Sequence, residues 1–352
     1  MKYALVKQDV YQDLYVCNKN EKDLKSILFS SIMRVGPFGL IADLGADFYI
    51  IKEDENYPET QYYKKSLPKY AEELKRLKNV TAENLSGLEF LNPGSKYPNG
   101  KFSLPYHKVD WSKYDIVISI NCSIPSLEIK RHPKTLFCYM VGEANIKSIF
   151  PKFGYDVSLI QESSSKINRC RNINFPYTFL NSNTLEKIID PPKVKSGIYI
   201  EINSHPERPV SKIPEPFERI IEKTGEKIYF HNQDIKQNLI NISKAKYFIK
   251  FGGRRIRGNS FIEAISLGTL VIANKKDVIH NDVIFDKLNI ESEEDIINTI
   301  NYFNDNPEEY SKNLKLQKDI VHTKYYKIPI QSLEYHLKKK RKKRFQYFRW
   351  KF

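Results

Sequence analysis

Short apolar segments alternate with segments of helical periodicity between residues 198 and 274, and this alternation limits the fold more than any other feature. The apolar segments predict strands at Ile198–Ile202, Lys227–Phe230, Tyr247–Phe251 and Thr269–Asn274. Apolar residues at helical spacing predict intervening helices at Pro216–Thr224, Lys236–Lys244 and Ser260–Leu267. Strands separated by helices in this way build βαβ units, so we expect a parallel sheet.

The first half of the chain has a weaker version of the same pattern. It predicts strands at Tyr3–Val6, Phe48–Ile51, Asp115–Ile120, Thr135–Met140 and Val157–Gln161. At 352 residues the chain is too long for one ordinary domain. The two prolines of the segment Asp190–Gly197 block helix continuation and suggest a linker. We therefore expect domains at residues 1–190 and 191–325, both of the α/β class, and a basic helical tail at residues 326–352.

Composition indicates a folded protein with unevenly distributed positive charge. The net charge is +15, but residues 338–352 hold nine Lys or Arg and no acidic residue, which leaves +6 for the rest of the chain. The four cysteines lack the spacing of metal ligands, and Cys122 and Cys138 lie in or beside apolar segments, as buried reduced thiols do. We expect a reducing compartment, no signal peptide and no membrane-spanning segment.

The segment from Tyr247 to Asn274 reads as a strand, a glycine-bearing loop, a helix and a second strand. Three glycines allow the backbone to turn sharply and to approach a ligand closely: Gly252, Gly253 and Gly258. Asn259 and Ser260 open the following helix, where unpaired N–H groups and the helix dipole favour an anion. Three guanidinium groups suited to phosphate lie in the same loop, from Arg254, Arg255 and Arg257. This combination predicts a diphosphate-binding site.

In this segment the chain resembles the donor-binding half of glycosyltransferases with the GT-B fold. Gly258, Glu263, Gly268-Thr269 and Val271-Ile272 match the order seen in the retaining, group-1-like branch, and the exostosin-like branch is an equally fair comparison. The resemblance covers about residues 197–300. It implies two Rossmann-like domains facing a cleft, with Glu263 holding the ribose of a nucleotide-sugar donor. The first glutamate and the proline of the family pattern are replaced by Arg255 and Leu270, so retention or inversion of the sugar stays open.

No Asp-x-Asp in a strand-end setting appears in the chain, and neither does an HExxH, a CxxC pair or a GxxxxGK(S/T) motif. The GT-B resemblance implies a hexosyl- or pentosyltransferase that uses a nucleotide sugar, and the absence of these motifs predicts that it needs no metal or cofactor. Arg255 would stabilise the departing diphosphate where negative charge develops.

Residues for acceptor activation and further donor contacts are predicted from their places after apolar strands. Glu143 ranks first as the general base, with Glu162 and His107 as alternatives. Arg208 follows one predicted strand of the second domain and could reach the diphosphate. His231 and Asn232 end the next predicted strand and could contact the nucleotide.

The tail combines basic and aromatic residues. An anionic membrane surface would attract the basic residues, and its headgroup region would accommodate the aromatic ones. The residues assigned to this contact are Lys338, Arg341, Arg344, Phe348 and Trp350. The sequence thus predicts a cytoplasmic glycosyltransferase, peripheral to the membrane, that acts on a glycan or a lipid-linked acceptor. The alternative is a nucleic-acid-binding protein whose tail takes phosphates with Lys and Arg and stacks aromatics on bases.

Overall fold

The structure is a computed structural model. It describes residues 1–8, 16–17, 35–51, 89–90, 109–120, 124–140, 154–160, 171–176, 178–201, 215–232, 235–252 and 259–349. These residues belong to two compact units. The first unit combines Met1–Phe179 with Lys327–Phe352, and the second comprises Leu180–Tyr326.

Parallel strands form the core of the first unit. Its described strands are β1 (Tyr3–Gln8), β2 (Val16–Cys17), β3 (Asp47–Ile51), β4 (Glu89–Phe90), β5 (Ile116–Ile120), β6 (Leu136–Met140), β7 (Val157–Ile160) and β8 (Arg171–Asn174). Six of them form one sheet in the order β3-β1-β5-β6-β7-β8, and every described pairing in it is parallel. The helices α1 (Val35–Leu44) and α2 (Ser126–Arg131) belong to this unit, and β2 and β4 form a short antiparallel ladder.

The central strands of this sheet are buried along their whole length. All residues of β5, β6 and β7 are buried, as expected for parallel strands covered on both faces. Cys138 is buried in β6, as predicted, whereas Cys122 lies outside the described residues.

A second parallel sheet builds the second unit. Its strands are β9 (Ile198–Ile200), β10 (Ile228–Phe230), β11 (Tyr247–Lys250) and β12 (Leu270–Ala273), in the order β10-β9-β11-β12. The helices that accompany them are α3 (Ser182–Ile189), α4 (Glu215–Thr224), α5 (Ile235–Lys244) and α6 (Asn259–Ser266). The prediction of two parallel α/β sheets is therefore confirmed.

A run of helices completes the chain. Helix α7 (Glu293–Asp305) begins with a capping box between Ser292 and Asp295. Helix α8 (Pro307–Ile320) leads through a π-helix, Val321–Lys327, into helix α9 (Ile328–Arg349). The chain passes from the second unit to the first within the π-helix. The C-terminal segment is thus helical, as predicted, and the part of it that is described packs in the first unit.

The first boundary between the units differs from the expected organisation. The division falls after Phe179 and not after residue 190, and the expected linker Asp190–Gly197 lies inside the second unit. Lys195 donates hydrogen bonds to the carbonyls of Ser243 and Leu267 at 2.6 Å each, which ties this segment to the ends of α5 and α6. At Gly197 the backbone φ is +88°, and an added Cβ would lie 2.6 Å from the Lys227 carbonyl. These are constraints of a packed segment.

The part of the chain that the structure describes includes no helix that is both long enough and apolar enough to span a bilayer.

Candidate functional site

Polar side chains collect where the strands of the second sheet end. Glu201 follows β9, His231 and Asn232 follow β10, and Gly252 follows β11. Because all described pairings in this sheet are parallel, these carboxyl ends lie at the same edge. β9 lies between β10 and β11, so the connections from β9 and β11 leave in opposite directions. Such a switch point is where open α/β sheets bind ligands.

The carboxylate of Glu201 joins this edge to the start of helix α6. Glu201 Oε2 accepts a hydrogen bond from Ser260 Oγ at 3.0 Å, and Ser260 is the second residue of the helix. Burial raises the pKa of Glu201, and this effect outweighs the opposing influence of the Ser260 hydrogen bond and of the Lys250 charge. Glu201 therefore places an acid of raised pKa beside a helix N-terminus.

Lys250 and Asp277 hold the turn that follows β11. Lys250, only 6% exposed, donates from Nζ to the Gly252 carbonyl at 2.6 Å. The Gly252 N–H donates to Asp277 Oδ2, also at 2.6 Å. Gly252 has φ +68°, a left-handed conformation that glycine adopts without steric cost. Burial lowers the pKa of Lys250, while Glu201 and Asp277 act in the opposite direction.

A chain of hydrogen bonds determines which nitrogen of His231 carries a proton. The Asn232 backbone N–H donates to Asn238 Oδ1 at 2.9 Å, which identifies that atom as the amide oxygen. The Tyr199 hydroxyl must then donate its single proton to Asn238 Oδ1, at 2.8 Å. His231 Nδ1 lies 3.1 Å from the same hydroxyl oxygen and so must be its donor. His231 Nδ1 therefore carries a proton.

Tyr199 keeps its proton at any ordinary pH. Burial raises its pKa first, and the negative charges of Glu201 and Glu263 raise it further. The Glu263 carboxylate on α6 therefore lies near enough to Tyr199 to act on it electrostatically. Glu263 is half-buried, and its residue position belongs to the same edge as Glu201.

The structure brings together those predicted donor residues that it describes. His231, Asn232, Gly252, Ser260 and Glu263 all belong to this edge of the second unit, and Asn259 is the first residue of α6. The other predicted site residues lie outside the described residues: Glu143, Glu162, His107, Arg208, Gly253, Arg254, Arg255, Arg257 and Gly258. Their roles stay predictions.

Several residues of this edge were missed by the sequence analysis. The missed residues are Tyr199, Glu201, Asn238, Lys250 and Asp277. Glu201 carried a usable signal, because it lies at the end of the predicted strand Ile198–Ile202, much as the predicted Glu143 and Glu162 lie just after theirs. Asn238 and Asp277 carried none, since they lie within or beside helical turns and reach the edge only through tertiary packing.

The residues assigned to membrane contact fall into different environments. Lys338 is exposed on α9. Arg341 was expected to be available to a membrane, but its Nη2 lies 2.5 Å from Asp115 Oδ1, so its charge is paired within the first unit. The side chains of Arg344 and Phe348 are not described, and Trp350 lies outside the described residues.

Among the residues with described positions, no group of three or more His, Cys, Asp or Glu side chains is arranged to hold a metal ion.

Solved structures similar to this chain include two sugar-transferring enzymes and one sucrose-phosphate synthase. A DNA-modifying β-glucosyltransferase, studied with and without uridine diphosphoglucose, is 14% identical with a TM-score of 0.44, covering 96% of this chain and 97% of that one. Sucrose-phosphate synthase from Thermosynechococcus elongatus is 12% identical with a TM-score of 0.42, covering 96% and 98%. The glycotransferase of kitacinnamycin is 10% identical with a TM-score of 0.41, covering 96% and 99%.

No family model and no curated protein matches the chain. TM-scores of this size do not by themselves establish a common fold. The fold is therefore assigned from the strand order and parallel pairing of the two sheets.

Proposed function

We propose that the protein is a glycosyltransferase that moves a hexosyl or pentosyl group from a nucleoside-diphosphate donor to a glycan or a lipid-linked acceptor. The observation that carries this proposal is the polar edge at the switch point of the second sheet. There Glu201, Lys250 and Ser260 adjoin the two ends of the glycine- and arginine-bearing segment.

The diphosphate is bound by the segment that joins β11 to α6. Gly252 and Asn259 flank this segment, and both belong to the described edge. The six residues between them include Arg254, Arg255 and Arg257. Guanidinium groups bind phosphate oxygens in pairs, and a helix N-terminus adds N–H donors, so this segment supplies the charge that a diphosphate needs. Glu263 accepts hydrogen bonds from the ribose hydroxyls.

In the reaction, the acceptor hydroxyl oxygen forms a bond to the anomeric carbon of the sugar. The bond from that carbon to the diphosphate oxygen breaks, and its electron pair leaves with the diphosphate. Arg255 stabilises the negative charge on the leaving group, and no metal ion is required. If the sugar is inverted, Glu143 in the first unit takes the proton of the acceptor hydroxyl. We place the reaction in the cytoplasm, in the synthesis of a surface polysaccharide or glycoconjugate.

Thermal denaturation with a set of nucleoside diphosphates and nucleotide sugars tests this proposal. We expect one nucleotide to raise the melting temperature, because a ligand bound only by the folded state stabilises that state. Arg255→Ala and Glu263→Ala should each weaken the binding of that nucleotide about 30-fold or more, the cost of one charged hydrogen bond. Glu222→Ala is the matched control, since Glu222 is exposed on α4 of the same unit.

A stabilising nucleotide sugar should also be consumed with release of its nucleoside diphosphate when acceptors are supplied. The absence of any thermal shift across the common nucleotide sugars would contradict the proposal, as would a shift of equal size in the Glu263→Ala variant.

A further inference from the structure

Helix α9 has two different faces. Leu333 and Leu337 are buried on the face directed at the first unit, with exposures of 0% and 3%. Lys340 continues that face, since it lies seven residues, or about two turns, after Leu333. Its Nζ lies 2.6 Å from Asp156 Oδ2 and 2.7 Å from the Thr135 carbonyl. This face therefore attaches the helix to the unit.

The attachment is made at the amino ends of the strands. Thr135 and Asp156 directly precede β6 and β7, and Asp115, the partner of Arg341, directly precedes β5. Ligands of parallel α/β sheets bind at the opposite, carboxyl ends. The attachment of helix α9 thus lies away from the ligand-binding edge of its own unit.

The outer face of α9 carries exposed apolar and basic residues. Ile328 is 46% exposed and Tyr335 is 58% exposed, which places both among the few large apolar side chains described as exposed. Lys338 and Lys342 are exposed on the same side, and Lys339 lies over the Tyr335 ring at 5.7 Å. The single acidic residue of the segment 326–352, Glu334, lies one turn before Lys338 and borders this face.

We propose that this outer face, defined by Ile328, Tyr335, Lys338, Lys339 and Lys342, binds the surface of a bilayer that contains anionic phospholipids. An amphipathic helix with apolar residues among lysines lies in the plane of the headgroups, where its charges meet those of the lipids. Lys340 and Arg341 do not take part, because their charges are paired with Asp156 and Asp115. The remaining basic and aromatic residues of 343–352 extend the same kind of sequence.

Charge complementarity and the apolar residues together favour a membrane over a nucleic acid. A nucleic acid would be bound chiefly through phosphates, so Ile328 would contribute nothing and binding would be lost in high salt. At a bilayer, Ile328 and Tyr335 contribute by burial, which salt does not screen.

Co-sedimentation of the full chain with vesicles tests the proposal. We expect binding to vesicles of phosphatidylcholine with phosphatidylserine, and weak binding to phosphatidylcholine alone. The variant Lys338→Glu/Lys339→Glu/Lys342→Glu should lower the partition coefficient on the order of 100-fold, as expected for three basic residues near an anionic surface. The matched control is Lys193→Glu/Lys223→Glu/Lys244→Glu, which changes the net charge equally through exposed lysines of the second unit. This control should retain most of the binding.

Two further measurements separate the alternatives. Ile328→Ser/Tyr335→Ser should lower the vesicle binding that persists in high salt by about tenfold or more, because both side chains enter the headgroup region. Equal loss in the triple-lysine variant and its control would overturn the proposal. Loss of binding to duplex DNA or RNA in the triple-lysine variant, with vesicle binding unchanged, would overturn it in favour of a nucleic acid. Release of nucleoside diphosphate with a soluble acceptor should be unchanged in the triple-lysine variant, so this test is independent of the proposed reaction.

Discussion

In the second unit, the pKa and the protonated atom of individual side chains depend on the residues that surround them. Burial raises the pKa of the Glu201 carboxyl group, although the hydrogen bond from Ser260 acts in the opposite direction. His231 is protonated at Nδ1 because Tyr199 has already given its proton to Asn238. Both properties follow from contacts between residues that are far apart in the chain.

The pH dependence of donor binding provides a prediction at the residue scale. The raised pKa of Glu201 means that its negative charge is lost at a higher pH than that of an exposed glutamate. As pH falls through this pKa, repulsion of a diphosphate decreases, so we expect a nucleotide sugar to bind more tightly. Glu201→Gln should remove this pH dependence and, at pH values above the pKa of Glu201, bind about fivefold more tightly than the unchanged protein, the effect of about 1 kcal/mol of charge repulsion.

Isothermal titration calorimetry between about pH 5 and about pH 8 measures this dependence. The sign for stability is the same: a raised pKa stabilises the fold at low pH, and that contribution is lost as pH rises from the unfolded pKa to the folded one. Weaker binding by Glu201→Gln at neutral pH would show instead that the ligand needs the charged carboxylate.

Among the elements, strands with uniformly apolar residues were predicted closely from the sequence. The predicted Asp115–Ile120 and Thr135–Met140 differ from β5 and β6 only at their first residue. Strand β8, Arg171–Asn174, was missed because it is an edge strand with one buried residue, Ile173. An edge strand needs few apolar residues, so hydrophobic periodicity does not reveal it.

The edge strand β12 is completed by a side chain from a helix. Gln317 of α8 is fully buried, and its side-chain amide makes the hydrogen bonds that a neighbouring strand would make. Its Oε1 accepts from the Val271 N–H at 3.0 Å, and its Nε2 donates to the carbonyls of Val271 and Val283 at 2.8 and 3.0 Å. The amide thereby satisfies three backbone groups that would otherwise be buried without partners.

Substitution of this glutamine gives a prediction at the element scale. Gln317→Leu keeps the approximate volume but removes all three hydrogen bonds, so we expect the free energy of unfolding to fall by about 2 to 4 kcal/mol. Urea unfolding followed by circular dichroism measures the change. Gln237→Leu, at an exposed position of α5, is the control and should change stability by less than about 0.5 kcal/mol. A similar loss in both variants would contradict the role assigned to Gln317.

At the scale of the whole molecule, the C-terminal segment Lys327–Phe352 belongs to the first unit, together with Met1–Phe179. It was expected to be a separate tail, but α9 packs in the first unit and pairs Lys340 with Asp156. These side chains are 20% and 25% exposed, so their attraction is screened less than that of a fully exposed pair.

Amide hydrogen exchange tests whether Lys340 holds the helix. In Lys340→Met we expect residues 333–342 to exchange about fivefold or more faster, which corresponds to the loss of about 1 kcal/mol. Asp156→Asn should have a comparable effect, and the double variant should exchange little faster than either single one. Lys338→Met is the matched control on the outer face and should leave exchange unchanged. Additive effects of the two single substitutions would rule out the pairing as the cause.

The sequence by itself determined the alternation of strands and helices, the class of both sheets, and the place in the chain of a glycine- and arginine-bearing segment. These properties are local, because hydrophobic periodicity and backbone preference act over a few residues. Only the tertiary structure decided that Glu201 and Lys250 adjoin Ser260, that Asn238 sets the protonation of His231, and that Lys340 and Arg341 are paired. Strand order and helix packing bring these groups together across long stretches of chain. Local hydrophobic periodicity cannot predict such contacts, because it depends only on residues close together in the sequence.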